Sequence, residues 1–306
     1  MKSILQTNFS GIESLVMKEV KKPEVTPDGI LIRMTTLPVV PSDWKREYNS
    51  NATAELADNL PRTIGIGGVG LVVGVGANQD HKLLNQRVLV MHPQGSYSEY
   101  ILTTERQFIF PLPSSISDEQ AAALTAGPGT ALLLSHIIND SDADNIVVTG
   151  ANSVIGLFLL QQLKHSQKRI LPIVSPVSQS YFNKYQKKAS YQVDNLPQLN
   201  GSSLIFDLAG STELLLELRK QLPTSPITSI VITKNSEIMD LTFVHEEFDA
   251  DNYRKFIQQV ADGELIVPLD RSFTFDHVKE AQYYAKESHS RGRVLITLNK
   301  EETIYD

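Results

Sequence analysis

After about residue 115, segments typical of strands alternate with segments typical of helices, and this alternation constrains the fold more than any other feature. Asn145–Thr149 is a continuous apolar run of the kind buried in parallel sheets. A helix is expected over Val154–Lys164, and the next strand over Arg169–Val174. The same pattern continues with strands at Ser203–Phe206 and Thr228–Ile232 and a Leu-rich helix at Thr212–Gln221. Repeated strand–helix–strand units predict an α/β fold with a doubly wound parallel sheet of the Rossmann type.

The chain before residue 115 has a different character. Short apolar runs such as Arg87–Met91 are separated by Gly, Pro and Asn, which predicts an irregular, mostly antiparallel β domain. At the other end, a helix is expected over Phe275–Lys286 and a strand over Gly292–Thr297. One helix and one strand bury too little surface to fold alone, so this tail is expected to rejoin the N-terminal domain. The predicted domains are therefore 1–116 with 268–306, and 117–267.

Composition excludes several classes of protein. The 306 residues contain no cysteine, which excludes disulfides, thiolate zinc sites and a cysteine nucleophile. The formal net charge is −7 and there is no long basic run, so no nucleic-acid partner is expected. No stretch of about 18 uninterrupted apolar residues exists, so no membrane partner is expected and a cytoplasmic protein is the default. The seven histidines show no metal-ligand spacing.

The strongest local signal is the segment Val147–Gly156, which combines a strand, a tight turn with Gly150 and the start of a helix. Such a turn directs backbone amides and the positive end of a helix dipole at a dinucleotide pyrophosphate. Aligned on its last glycine, the chain places Ala151, Ser153 and Gly156 on the G-x-G-x-x-G pattern, so only the third glycine is kept. An ordinary βα turn is the alternative. The residues expected to bind the cofactor here are Gly150, Asn152, Ser153, Val154 and Ile155.

The end of the second strand indicates which dinucleotide is bound. Sites for NAD usually place Asp or Glu there to bind the ribose hydroxyls. This chain has no acid at that point, and Ser175 could accept a 2′-phosphate with Lys184 nearby. NADPH is therefore expected as the cofactor, and NADH is the less favoured form. The alternative is that Ser175 only opens a turn and the lysine only solvates a helix.

Several separated segments resemble those of the medium-chain dehydrogenase/reductase superfamily, and most of all its zinc-free branch of quinone oxidoreductases and enoyl reductases. The resemblance covers nearly the whole length and depends on the order and spacing of the segments. They are Val40-Pro41-Ser42-Asp43-Trp44-Lys45, Pro61 to Gly76, Gly95-Ser96-Tyr97-Ser98-Glu99-Tyr100, Gly129-Thr130-Ala131, Phe206-Asp207-Leu208-Ala209-Gly210, and Gly292 to Ile296.

The resemblance implies a GroES-like, mostly-β substrate domain beside the Rossmann domain. It also implies a substrate cleft lined by Val40, Pro41, Ser42 and Trp44. On the cofactor side it implies a helix start with Thr130 under the nicotinamide, and strand ends that pass the cofactor. The strand-end residues are Leu208, Ala209, Ile232 and Thr233. A homodimer that pairs through the edge at Asp240 to Phe248 would be typical of the family.

The chain departs from the family pattern at several positions. Gly65-Ile66-Gly67 stands where zinc-dependent members have G-H-E, so neither a catalytic zinc nor any other metal is expected. Val40 replaces the usual Asn of the cleft segment. Ser153 and Val154 replace the two central glycines of the phosphate turn.

The function expected from these features is zinc-independent hydride transfer from NADPH to a small-molecule acceptor, a quinone or an α,β-unsaturated carbonyl. The proton would come from a cleft side chain, with Tyr48 as the catalytic candidate and Ser42 and Lys45 as others. A surface aromatic is the alternative reading of Tyr48. Asp43 is expected to cap the turn after Pro41.

Two other functions remain open. Thr149 to Gly156 also resembles the turn of short-chain dehydrogenases, which would make the protein a carbonyl reductase. That turn normally lies near the N-terminus, and no Tyr in this chain is followed by Lys four residues later. A non-catalytic nucleotide-binding relative that keeps only the fold is the second alternative, suggested by Val40, Gly67 and Ser153.

Overall fold

The structure is a computed structural model that describes residues 1–238, 240–288 and 291–298. Its strands are β1 (Lys2–Gln6), β2 (Leu15–Glu19), β3 (Ile30–Val39), β4 (Arg62–Thr63), β5 (Gly67–Val75), β6 (Arg87–Met91), β7 (Tyr100–Thr103), β8 (Ile109–Pro111), β9 (Asn145–Thr149), β10 (Arg169–Pro172), β11 (Ser203–Asp207), β12 (Ile227–Ser229), β13 (Leu241–Phe243), β14 (Leu269–Thr274) and β15 (Arg293–Thr297). Its α-helices are α1 (Pro41–Glu47), α2 (Ala54–Ala57), α3 (Asp118–Ala123), α4 (Pro128–Asp140), α5 (Val154–Gln162), α6 (Gln179–Tyr185), α7 (Thr212–Gln221), α8 (Ala250–Ala261) and α9 (Val278–Glu287).

The chain forms two compact units. The first contains Met1–Ala126, Ala250–Ser288 and the described chain from Gly292 onward; the second contains Gly127–Asp249 and Arg291. The boundaries between the two units thus lie after Ala126 and after Asp249. The domain boundaries predicted from the sequence lie after residues 116 and 267. Helix α8 belongs to the first unit, where Tyr253 stacks on Phe110 of β8 with ring centroids 5.9 Å apart.

A seven-stranded, mostly antiparallel sheet dominates the first unit. Six strands follow the order β14-β15-β3-β5-β6-β8, and β7 pairs with β3. The C-terminal strand β15 lies antiparallel to β3, with Val294 opposite Val39. Strands β2, β1 and β4 form a smaller sheet in that order. The tail therefore completes the N-terminal β domain, as the sequence predicted.

The second unit is built on a parallel five-stranded sheet in the order β10-β9-β11-β12-β13. A six-stranded Rossmann sheet has the order 3-2-1-4-5-6, so β9 and β10 correspond to its first and second strands. The third strand is reduced here to one parallel bridge between Ile173 and Tyr191. The mixed α/β architecture, with a Rossmann-like parallel sheet and a separate mostly-β sheet, agrees with the fold class predicted from the sequence.

Local sequence signals explain several element boundaries. Ser117 caps α3 in a capping box, in which its hydroxyl accepts from Gln120 N and Gln120 Oε1 accepts from Ser117 N. The edge strand β13 covers only Leu241–Phe243 of the segment from Asp240 to Phe248 that was expected to form an edge. Among the described residues, no helix is both long enough and apolar enough to cross a membrane.

Candidate cofactor site and cleft segment

The turn after β9 has the geometry of a phosphate-binding turn. Gly150 has a φ of +60°, and a Cβ at this position would lie 3.0 Å from the Ala209 amide nitrogen. Because side chains are strained in this region and the neighbouring backbone is close, a glycine is strongly favoured. Helix α5 begins four residues later, so the amides of its first turn lie at the end of the sheet where Rossmann folds bind a pyrophosphate.

Ser153 and Gly156 occupy the second and third glycine positions of the G-x-G-x-x-G pattern, and each has a structural role at the start of α5. The Ser153 hydroxyl accepts a hydrogen bond from Gly156 N at 3.0 Å and so caps α5. A Cβ on Gly156 would lie 2.6 Å from Ala151 O, so helix and turn approach too closely for a side chain there. The third glycine therefore serves helix packing, and the serine at the middle position serves as the helix cap.

Asp207 joins the carboxyl ends of three neighbouring strands. It is 1% exposed, and its Oδ1 accepts from Thr149 Oγ1 at 2.8 Å and from the amide of Gly210 at 3.0 Å. Its Oδ2 accepts from Ser229 Oγ at 2.8 Å. This network fixes the backbone of β9, β11 and β12 where the turn and the loop after β11 meet. Asp207 lies within the family segment Phe206 to Gly210, but the segment does not indicate its role; an acid at the end of a buried strand is the available sequence signal.

A cavity of about 530 Å³ lies beside this turn, entirely within the second unit. Six of the predicted cofactor residues line it: Gly150, Asn152, Ser153, Ser175, Leu208 and Ala209. Eight lining residues were not predicted: Ile173, Val174, Pro176, Ser178, Gln192, Val193, Asp194 and Leu214. Pockets for small molecules typically span about 300–1,000 Å³, so the space, the glycine turn and the helix start together fit a dinucleotide.

Other predicted cofactor residues lie elsewhere in the second unit. Thr130, Val154, Ile155, Lys184, Ile232 and Thr233 do not line the cavity. Thr130 lies in the first turn of α4, where its hydroxyl donates to Glu246 Oε2 at 3.0 Å. The amide of Ile232 donates to Ser229 Oγ at 2.9 Å, which connects that loop to the Asp207 network.

The end of β10 carries hydroxyl groups but no basic side chain. Ser175 Oγ lies 3.2 Å from Ser178 Oγ, and both residues line the cavity. Lys184 is in the last turn of α6 and outside the cavity lining, because a 3₁₀ turn over Pro176–Ser178 precedes the helix. The predicted approach of Lys184 to the end of this strand therefore has no support from the residues that line the cavity. Asp194 is the one charged residue among those lining the cavity.

The predicted cleft segment forms the start of α1 in the first unit. Val40 is buried and precedes the helix, Pro41 is its first residue, and Asp43 Oδ2 accepts from Val40 N at 2.9 Å. Asp43 thus caps the turn, as predicted. Trp44 packs partly buried against the core of this unit, and the side chain of Tyr48 is 62% exposed. The structure places Val40, Pro41, Ser42 and Trp44 together but leaves the role of Tyr48 open.

Two buried carboxyl groups lie on α1, one helical turn apart. Burial is the main cause that raises the pKa of Asp43 to about 7, opposed by the amide of Val40 and increased by the nearby Glu47. Burial likewise raises the pKa of Glu47 to about 7, opposed by the hydrogen bond from Gln282 Nε2 at 2.8 Å. Arg293 is buried beside them, and burial lowers its pKa to about 10. No sequence pattern indicates this cluster, since Gln282 and Arg293 are distant from α1 along the chain.

The segment that replaces the zinc motif is shaped by glycine. Gly67 has a φ of +151°, and a Cβ there would lie 2.3 Å from Val90 O. Ser96 Oγ accepts from Gly67 N at 3.0 Å and donates to Gly67 O at 2.9 Å. A glutamate cannot stand at position 67 in this backbone conformation. In the described part of the chain, no group of three or more His, Asp or Glu side chains is arranged to hold a metal ion.

Comparison with solved structures shows the fold. No family model matches the chain. The solved structure of a quinone oxidoreductase from Coxiella burnetii matches 98% of this chain and 99% of its own, with a TM-score of 0.82 and 19% sequence identity. A parallel Rossmann-like sheet and a separate mostly-β sheet are the architecture that the two structures share. The chain thus shares the overall fold of this structure.

Sequence relatives point in the same direction. A quinone oxidoreductase-like protein 2 homolog from Nematostella vectensis is 26% identical over 259 residues, 74% of this chain and 71% of that protein. A mitochondrial enoyl-[acyl-carrier-protein] reductase from Arabidopsis thaliana is 28% identical over 140 residues, 45% of this chain and 36% of that protein. The sequence relatives and structural neighbours of this chain are quinone oxidoreductase-like proteins and enoyl reductases of the medium-chain dehydrogenase/reductase superfamily, the group that its sequence segments resemble. Its quinone oxidoreductase and enoyl reductase homologues support an NAD(P)H-dependent oxidoreductase.

Proposed function

We propose that this protein is a zinc-independent oxidoreductase that uses NADPH to reduce a quinone or an α,β-unsaturated carbonyl. The observation that carries the proposal is the cavity at the turn after β9, where Gly150 and the start of α5 adjoin the ends of parallel strands. A nicotinamide dinucleotide bound there supplies a hydride, and one proton completes the reduction of the acceptor. Related proteins named as quinone oxidoreductases and enoyl reductases support both acceptor classes.

The protein's own contribution would be binding and positioning. The amides at the start of α5 would hold the pyrophosphate, and the Asp207 network would keep the neighbouring strand ends rigid. Ser42 and Tyr48 are the hydroxyl groups of the cleft segment from which the proton would come, and Lys45 is the alternative. The high exposure of Tyr48 leaves it accessible to an acceptor or to water.

The finer part of the proposal is a preference for NADPH over NADH. It is supported by the absence of an acid at the end of β10 and by the hydroxyls of Ser175 and Ser178. Lys184 does not add a charge to the cavity, and Asp194 adds a negative one. Hydroxyl contacts with the 2′-phosphate give a smaller preference than a contact with a basic side chain. The dissociation constant for NADPH is therefore expected to be only a few-fold lower than that for NADH.

Zinc independence is supported by the cysteine-free sequence and by the backbone at Gly67. The proposal includes a cytoplasmic location, which agrees with a chain that uses no cysteine.

The proposed protein is a homodimer formed by edge pairing at β13, where Phe243 and Phe248 are 38% and 40% exposed. Exposed aromatic side chains beside an unpaired strand edge are suited to such an interface.

A non-catalytic nucleotide-binding relative is the second candidate. It is favoured by one observation, the serine at the middle position of the glycine pattern. A fluorescence titration with NADPH, followed by its oxidation with quinones and enones, separates the candidates. Binding with turnover supports the oxidoreductase, binding without turnover on either acceptor class supports the relative, and absence of binding contradicts both.

A further inference from the structure

The cavity of the second unit is bordered by three chain segments that lie side by side. The turn after β9 is the first and the end of β10 is the second. The third is Gln192–Asp194, which follows the bridge at Tyr191. This bridge is fixed by two backbone hydrogen bonds, Tyr191 N to Pro172 O at 2.8 Å and Val174 N to Tyr191 O at 2.9 Å. Neighbouring strands are about 4.8 Å apart, so Gln192–Asp194 lies one strand spacing beyond Ser175, on the side away from Gly150.

This order assigns the parts of a dinucleotide to the three segments. The pyrophosphate binds at the glycine turn, and the adenosine ribose binds at the end of the second strand. The purine base is the next group outward, so it reaches the third segment. Pro176 and Val193 line the cavity here and supply apolar surface for a flat ring. The base end of the cavity therefore contains Gln192 and Asp194 as its polar side chains.

These two side chains differ in what they can recognise. An amide such as that of Gln192 carries both a donor and an acceptor, so it pairs with either a 6-amino or a 6-oxo purine. An ionised carboxylate only accepts hydrogen bonds. Asp194 is the one charged residue lining the cavity, and its carboxylate has no hydrogen-bond or ion-pair partner among the described residues.

We propose that Asp194 accepts a hydrogen bond from the exocyclic amino group of adenine, and so selects adenine dinucleotides against 6-oxopurine dinucleotides. The inference rests on the proposed function, because it concerns the same cofactor cavity. A 6-oxo group would place a second hydrogen-bond acceptor against the carboxylate. The hydrogen bond would then be lost, and the two oxygens would repel each other. The segment that replaces the third Rossmann strand would thus contribute the specificity for the base.

The test is a fluorescence titration of the purified protein with NADH and with reduced nicotinamide hypoxanthine dinucleotide. These two probes differ at one edge of the purine, where hypoxanthine has a 6-oxo group in place of the 6-amino group and a proton on N1. Since a charge-assisted hydrogen bond is lost, the hypoxanthine form should bind at least about fivefold more weakly. Asp194→Asn should bring the ratio of the two dissociation constants to within about twofold, because its amide can also donate. Asp142→Asn removes an exposed charge from the same unit outside the cavity and should leave the ratio unchanged.

The outcomes are distinguishable. Equal binding of the two probes by the unmodified protein overturns the role of Asp194 and leaves the proposed function standing. If the ratio of the two dissociation constants is unchanged in Asp194→Asn, the role of Asp194 is overturned as well. If neither probe nor NADPH binds, the proposed function is overturned, and this inference with it.

Discussion

Thr149 Oγ1 donates a hydrogen bond to Asp207 Oδ1 over 2.8 Å, and this contact joins the carboxyl ends of β9 and β11. The amides of Leu208 and Ala209 donate in turn to Thr149 Oγ1 at 3.2 and 3.3 Å. The loop that follows β11 is therefore held against the turn at Gly150, and both line the cofactor cavity. The rigidity of the candidate site depends on one buried carboxylate and one buried hydroxyl.

We expect Asp207→Ala to lower the free energy of unfolding by about 3 kcal/mol, because it leaves buried donors without their charged acceptor. Urea denaturation measures this change. Asp142→Ala, an exposed carboxylate in the same unit, should change stability by less than about 0.5 kcal/mol. Equal effects of the two substitutions would mean that the Asp207 network does not stabilise the strand ends.

The side chain at position 175 should control cofactor preference. The unmodified protein should bind NADPH a few-fold more tightly than NADH. Ser175→Asp should abolish or reverse this ratio, because a carboxylate would face a 2′-phosphate that carries roughly two negative charges. Fluorescence titrations with both cofactors measure the two dissociation constants. Lys184→Ala is the control and should leave the ratio unchanged, since Lys184 does not line the cavity. Equal affinities that also persist in Ser175→Asp would contradict the assignment of this strand end.

Stability should fall as pH rises through the range in which Glu47 titrates. Its pKa is about 7 in the folded protein and 4.5 ordinarily, so the folded state binds more protons between these values. The resulting stabilisation is complete below pH 4.5 and is lost as pH rises to about 7. Asp43 contributes in the same direction, because burial raises its pKa from 3.8 to about 7.

Glu47→Gln removes one of these two groups and should therefore reduce the loss of stability between pH 5 and pH 8 by on the order of 3 kcal/mol. Denaturant unfolding at the two pH values measures the difference. Glu280→Gln replaces an exposed carboxylate in the same unit and should leave the pH dependence as it is. A Glu47→Gln protein with the unmodified pH profile would show that Glu47 is already charged at low pH.

The edge strand β13 should mediate dimer formation. Light scattering at micromolar concentration should give twice the chain mass of 34.0 kDa. Phe243→Lys should shift the population toward the monomer, because a charge at an exposed edge opposes strand pairing. Leu84→Lys, an exposed apolar residue of the first unit, should leave the dimer intact. A monomeric unmodified protein would contradict edge pairing.

The parts of the fold that depend on local patterns were predictable. The strand Asn145–Thr149 and the helix Thr212–Gln221 have the expected bounds, because apolar runs and helix caps are encoded within the segments themselves. The reduction of the third Rossmann strand to a bridge at Tyr191 was not predictable, because pairing depends on the neighbouring chain at Ile173. The same limit applies to the site. Gly150 and Ser175 could be placed from the motif, whereas Asp194 and the pair Glu47–Gln282 come together only through long-range packing.

The proposed function requires that the protein binds and oxidises NADPH without a metal. The most direct measurement is the rate of NADPH oxidation with a quinone or an enone as acceptor, in the presence of a zinc chelator. We predict saturable turnover that the chelator does not change, and its loss in Gly150→Val, whose side chain would crowd the Ala209 amide beside the cofactor turn. Turnover that disappears with the chelator and returns with added zinc would contradict the account, as would an unmodified protein that oxidises no NADPH with either class of acceptor.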